Sequence, residues 1–94
     1  MSEAKPLNQL IQQFFRAIGI DLKFEENLAF VYWDQVVGKE ISERTEPYRI
    51  SDGILSVRVK DPAWRNELHF FKKDIQEKLN HKIGKRIIKD IKFY

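Results

Sequence analysis

The sequence contains no cysteine, and this absence excludes disulfides, thiol nucleophiles, zinc ribbons and iron–sulfur clusters together. Histidine is scarce as well, because His69 and His81 are the only two and neither stands in a tight group of carboxylates. We therefore expect no metal, no cofactor and no histidine-based catalytic triad. His69 is predicted to lie on a helix surface or at its boundary.

Long apolar runs are also absent, since none approaches the roughly 20 residues that a membrane-spanning helix requires. The opening residues, Met-Ser-Glu-Ala-Lys-Pro, lack the apolar stretch of a secretory signal. The four glycines are far apart and form no phosphate-binding loop, and no serine stands in a nucleophile-elbow pattern. These features predict a cytoplasmic location, no membrane partner and no enzymatic activity.

What is present is a globular composition, with 43% hydrophobic and 33% charged residues in 94 residues. A chain of this length predicts a single domain over 1–94. Seven Phe, three Tyr and two Trp provide the side chains of an aromatic core. We expect Trp33 and Trp64 to be core anchors, because each shares a helical face with other apolar residues.

Charge is unevenly distributed along the chain. Up to Glu46 there are five basic and eight acidic residues, whereas after Glu46 there are twelve basic and six acidic ones. Clustered cations favour a phosphate backbone through counterion release, whatever its base sequence. The alternative is a solvated surface that only keeps the protein soluble. The candidate nucleic-acid-binding residues are Arg58, Lys60, Lys78, Lys82, Lys85, Arg86 and Lys89.

Helical periodicity governs the first half of the chain. Apolar residues from Leu7 to Ile18 form one stripe after Pro6, and this predicts a first helix with a core face. A second helix is predicted from Asn27 to about Arg44. Gly38 lies inside that second helix, and the close approach of another element is the expected reason for it.

The second half begins with a period of two. Thr45–Ile50 and Leu55–Val59 predict a hairpin around the turn Ser51-Asp52-Gly53, with Pro47 on an edge strand. Asp61-Pro62 opens a third helix, in which the apolar stripe comprises Trp64, Leu68, Phe71, Ile75 and Leu79. Gly84 ends this helix, and 86–94 is predicted to be a third strand. The fold class is therefore α+β, in the order α-α-β-β-α-β, with a small three-stranded sheet covered on one face by helices.

Several short motifs occur in a specific order from the second helix to the end of the chain. The string reads Trp33-x-x-Val36-Val37-Gly38-x-x-Ile41, Thr45-x-Pro47, Gly53-x-Leu55-x-Val57-x-Val59, Asp61-Pro62-x-Trp64-x-x-x-Leu68, Leu79-Asn80, Gly84 and Ile91-x-Phe93. In this order and spacing the chain resembles the bacterial DciA family. The motif residues are also those that a packed core needs, so we expect a structural role for Trp33, Val37, Gly38, Ile41, Pro47, Leu55, Trp64 and Leu68.

The resemblance implies a KH-like fold and a non-enzymatic role in DNA replication. DciA-type proteins act on the replicative DNA helicase and assist its loading on single-stranded DNA, so the helicase and DNA are the partners it implies. Many relatives carry a basic, flexible extension beyond the domain, and contacts made by that extension are not carried over to this chain. An alternative function is a KH-like RNA-binding module unrelated to helicase. The Gly-x-x-Gly loop with which KH domains clamp a nucleic-acid backbone is, however, absent from the sequence.

DNA binding by this chain is expected to be weak and sequence-independent, for single-stranded or duplex DNA. Tyr94 and Phe70 are candidates for stacking on bases. Replacing Lys82, Lys85, Arg86 and Lys89 together by Gln is expected to flatten the salt dependence of binding and to leave the melting temperature nearly unchanged.

Overall fold

The computed structural model describes residues 10, 11, 13 and 21–94. The predicted first helix lies almost wholly outside these residues. Of its apolar stripe only Leu10 and Ile11 are described, and both are exposed, so the prediction of a core face is wrong at these two positions. The elements of the described region are α1 (Asp21–Val37), α2 (Lys39–Ser42), β1 (Thr45–Ser51), β2 (Ile54–Val59), α3 (Pro62–Ile83) and β3 (Asp90–Phe93).

The three strands form one mixed sheet in the order β1-β2-β3. β1 and β2 are antiparallel, whereas β2 and β3 are parallel and connected through α3. The predicted turn at Ser51-Asp52-Gly53 is narrower in the structure: Asp52 and Gly53 both have positive φ, 53° and 80°, as in a two-residue hairpin turn. The α+β class and the three-stranded sheet are confirmed.

The core lies between the sheet and the helices on one of its faces. Leu55, Val57 and Val59 alternate inward along β2 and pack with residues of α1, α3 and β3. Leu68 is fully buried among them. The residues that project from the other face of the sheet are exposed or half-buried, and most of them are polar.

The two tryptophans differ in burial. Trp33 is 1% exposed and anchors the core as predicted. Trp64 is only partly buried and packs against the margin of the core, where the Arg44 guanidinium lies 5.0 Å from its ring centre. The predicted stripe of α3 is wrong at Phe71, which is exposed, because α3 turns this position away from the sheet.

The predicted second helix is longer at its start than expected and is broken near its end. Helical backbone begins at Asp21, and Gly38 separates α1 from α2 with φ 85° and ψ 166°. A Cβ atom at Gly38 would meet nothing within 4 Å, so the predicted close approach of another element is wrong. Glycine is required at this position because other residues rarely adopt this backbone conformation.

The ends of α3 are as predicted. The Asp61 carboxylate accepts the backbone N–H of Ala63 at 2.8 Å, and Gly84 ends the helix with φ 90°. The third strand is shorter than predicted, since it begins only at Asp90. The Asn80 side chain binds both the N–H and the C=O of Ile88, at 2.7 and 2.9 Å, so these backbone groups are unavailable to a strand.

Candidate nucleic-acid interface

Four of the predicted cations lie together where α3 ends and the chain turns back towards β3. We call this group, Lys82, Lys85, Arg86 and Lys89, the basic end. The left-handed conformation of Gly84 reverses the chain, so that cations before and after it lie at the same end of the helix. Positive side chains here also complement the negative end of the helix dipole. A hollow at this end of α3 is lined by Lys73, Gln76, Glu77, Asn80, His81, Gly84, Lys85 and Arg86.

Lys85 is held by a carboxylate of α1. Its Nζ atom lies 3.0 Å from Oε2 of Glu25, and the Glu25 side chain is only 11% exposed. A carboxylate with so little contact with water needs a charged partner. Lys85 therefore connects the end of α3 to α1, and its main role is structural rather than the binding of an external anion. The prediction that its removal leaves the melting temperature unchanged conflicts with this contact.

Lys82, Arg86 and Lys89 have exposed side chains and no carboxylate partner within the described part of the chain. The backbone N–H of Lys89 donates to the Gly53 carbonyl at 2.7 Å, and the stem of its side chain covers Gly53. Lys78 lies one turn before Lys82 and forms an exposed pair with Asp74 at 3.0 Å. The basic end thus offers three unpaired charges to an anion.

Arg58 and Lys60 do not join the basic end. Arg58 projects from the sheet face that the helices leave uncovered, and its Nη1 atom lies 3.2 Å from Oε1 of Glu46 across the hairpin. Lys60 follows the last residue of β2, and its Nζ atom donates to the Glu43 carbonyl at 3.4 Å. Because β2 begins beside Gly53 and extends for six residues, Lys60 lies roughly 20 Å from the turn that Lys89 contacts.

The side of the sheet that the described helices leave uncovered carries a second set of polar and aromatic residues. We call it the open sheet face, and its members are Glu46, Tyr48, Arg49, Ser56, Arg58, Lys92 and Tyr94. The Arg58 guanidinium lies 4.7 Å from the centre of the Tyr48 ring. The rings of Tyr48 and Tyr94 are 6.5 Å apart and tilted by 58°. Two aromatic rings and a guanidinium therefore form one continuous group.

Sequence reasoning singled out Tyr94 but missed Tyr48. The pairing of β1 with β2 shifts between Pro47 and Arg49, and this bulge brings Tyr48 onto the same face as Arg58. The outward strand position of a tyrosine was the only signal available in the sequence. Phe70, the other predicted stacking residue, is 84% exposed on α3 and makes no ring contact with either tyrosine.

The described residues contain neither a membrane-spanning helix nor a cluster of metal ligands. None of the described helices is both long and apolar enough to cross a membrane. Nowhere in 21–94, or at the three described positions before it, do three or more His, Asp or Glu side chains gather as a possible metal site.

Comparison with known proteins identifies the family. Residues 6–93 match the family described as "Dna[CI] antecedent, DciA". The chain belongs to the DciA family. Two of its relatives are UPF0232 proteins, from Rhodococcus jostii with 29% identity and from Mycobacterium tuberculosis H37Rv with 24% identity, each over 90 residues. Each alignment covers 96% of this chain and 48% of the relative, so the chain spans about half the length of these DciA relatives.

The residues that carried the resemblance to DciA proteins lie mainly in the core. Trp33, Leu55 and Leu68 are buried, and Val37 and Ile41 pack against them. The remaining motif residues have backbone or marginal roles: Gly38 separates two helices, Pro47 adjoins the bulge of β1, and Trp64 lies at the core margin.

Proposed function

We propose that this chain is a cytoplasmic, non-enzymatic accessory domain of DNA replication that binds the replicative DNA helicase and assists its loading. The observation that carries this proposal is the match of residues 6–93 to the DciA family, for which helicase loading is the expected role. The chain covers only about half the length of its UPF0232 relatives. We therefore also propose that the part of the protein present in this chain is the part that binds the helicase.

The proposal includes weak, sequence-independent DNA binding at the basic end. Lys82, Arg86 and Lys89 are exposed and form no ion pair in the described region, and such charge binds phosphates of any sequence. Three contacts to a single strand contribute roughly −2 to the slope of log K against log salt concentration.

Helicase binding is tested with purified components. The chain is immobilised and incubated with the replicative helicase of the same organism, after nuclease treatment so that DNA cannot bridge the two proteins. We expect the helicase to be retained at moderate salt. Helicase that passes through unretained would refute the central part of the proposal, and recovery of RNA or ribosomal proteins from a lysate would favour the KH-like RNA-binding alternative.

The basic end is tested by salt titration with a fluorescent oligo(dT). The double variant Lys82→Gln/Arg86→Gln is expected to make the slope shallower by about 1.4, since it removes two phosphate contacts from a single strand. Lys89 is left in place because its stem packs on Gly53.

The control for this titration is Lys39→Gln. The Lys39 side chain is 91% exposed on α2, and it lies about 20 Å along the helical segment from Glu25, the residue that contacts the basic end. This variant should bind with the slope of the parent. An unchanged slope in the double variant would place the DNA contact elsewhere.

A further inference from the structure

The open sheet face has features that the basic end lacks. Tyr48 and Tyr94 are 43% and 52% exposed. They face solvent within one group that also contains the Arg58 guanidinium. Neither ring belongs to the hydrophobic core, although Tyr48 also lines a cleft beside α1, so core packing does not account for the exposed rings.

Charge and shape on this face both suit a chain of phosphates and flat bases. Strand register places Arg49, Ser56 and Lys92 in one row across the three strands. The two outer members are exposed cations without a carboxylate partner among the described residues, and the central serine is small. The row therefore forms a shallow depression at Ser56, with a positive charge on either side and the exposed rings next to it.

The acidic residue on this face is weakly held. Glu46 pairs with Arg58, but both side chains are at least 60% exposed, and such pairs contribute little stability. A phosphate can therefore replace the Glu46 carboxylate at Arg58 at small cost. The guanidinium plane that lies on Tyr48 is itself a surface on which bases stack.

We propose that the open sheet face is a stacking platform for single-stranded DNA. Tyr48 and Tyr94 stack on bases, while Arg49, Arg58 and Lys92 contact phosphates. Stacking on protein rings requires bases that are not already paired and stacked in a duplex, so the face selects single strands. The choice of DNA over RNA rests on the proposed function, whereas the stacking geometry does not.

The experiment measures the affinity of four proteins for fluorescent oligo(dT) across a range of salt concentrations. They are the parent, Tyr48→Ala/Tyr94→Ala, Tyr48→Phe/Tyr94→Phe and Phe70→Ala. Loss of base stacking is expected to weaken binding by roughly 5- to 150-fold for each ring removed. Because the rings are uncharged, the alanine variant should keep the salt slope of the parent, unlike a variant of the basic end.

The other two variants are matched controls. The phenylalanine variant retains both rings and should bind within about 2-fold of the parent, because stacking does not need the hydroxyl. Phe70→Ala removes an exposed ring from α3, outside the sheet, and should not change the affinity. Thermal melting of each variant establishes that the fold is retained before binding is compared.

Each alternative result has a distinct meaning. Parent-like binding by the tyrosine-to-alanine variant would overturn this inference and leave DNA binding at the basic end intact. Tighter binding of a duplex, or of oligo(rU), by the parent would overturn the assignment of single-stranded DNA. A parent that binds no oligonucleotide at low salt would overturn both DNA proposals, while the helicase experiment would still test the rest of the proposed function.

Discussion

Thr45 joins three elements through one hydroxyl group. The Trp33 indole N–H donates to Oγ1 of Thr45 at 3.0 Å, and the hydroxyl in turn donates to the Ile41 carbonyl at 2.7 Å. Trp33 and Thr45 are both buried, so water does not replace a lost partner. We predict that Thr45→Val, which preserves size and strand propensity but removes the hydroxyl, destabilises the protein substantially.

The expected cost follows from the groups left without partners. The Ile41 carbonyl still accepts the N–H of Arg44 at 3.0 Å, so it remains satisfied. The Trp33 indole N–H loses its acceptor, and a buried donor without an acceptor costs about 1–3 kcal/mol of stability. A domain of this size has a total stability of roughly 5–14 kcal/mol. A loss near 2 kcal/mol would lower the melting temperature by roughly 8–16 °C.

The assay is urea unfolding followed by tryptophan fluorescence, in which the midpoint should fall while the m-value stays constant. A double-mutant cycle with Trp33→Phe isolates the hydrogen bond, because phenylalanine has no donor to leave unpaired. In that background Thr45→Val should cost about 1–2 kcal/mol less than in the parent. Equal costs in both backgrounds would refute the reasoning, and Thr45→Ser should retain most of the stability.

Three further changes test the packing of the fold by urea unfolding. Lys85→Met leaves the Glu25 carboxylate without its ammonium partner and should cost about 1–2 kcal/mol of stability. This is less than for a fully buried pair, because the Lys85 side chain is 45% exposed. Unchanged stability would argue against a structural role for Lys85. Gly38→Ala should cost about 1–3 kcal/mol through backbone strain alone, and a neutral result would contradict the need for its positive φ. Trp64→Ala should cost less than the roughly 3–5 kcal/mol expected for Trp33→Ala, since Trp64 is only partly buried, and equal losses would contradict this ranking.

Local signals in the sequence predicted much of the fold. The alternation in β2, the Asp61-Pro62 helix start and the Gly84 helix end each depend on residues a few positions apart, and all three are confirmed. The break at Gly38 was missed because apolar spacing continues on both sides of it. A glycine can allow another element to approach the backbone closely, or it can adopt a backbone conformation that other residues rarely adopt. Only the structure shows that Gly38 has the second role.

The candidate interface was less predictable, because its properties depend on contacts between distant residues. A count of cations along the chain gives Lys85 and Lys82 the same weight, but Glu25, sixty residues before Lys85, neutralises only one of them. Likewise, Tyr48 reaches Arg58 and Tyr94 through a bulge that no local pattern in β1 signals. Charge density therefore predicted the basic end as a region but not which of its cations are free.

The basic end and the open sheet face lie close enough to act on one strand of DNA. Lys89 packs over the turn beside the basic end, and Lys92 is three residues further on, in β3 on the open sheet face. In extended chain this separation is about 10 Å. We infer that a single strand running from the rings along Lys92 meets Lys89, a cation of the basic end. Asp90, the acidic residue between these two lysines, is paired with Lys72 at 3.2 Å. On this arrangement the rings supply a salt-independent part of the affinity, and the cations of both surfaces supply a salt-dependent part. The ring variants and the basic-end variant therefore separate stacking from the charge of the basic end.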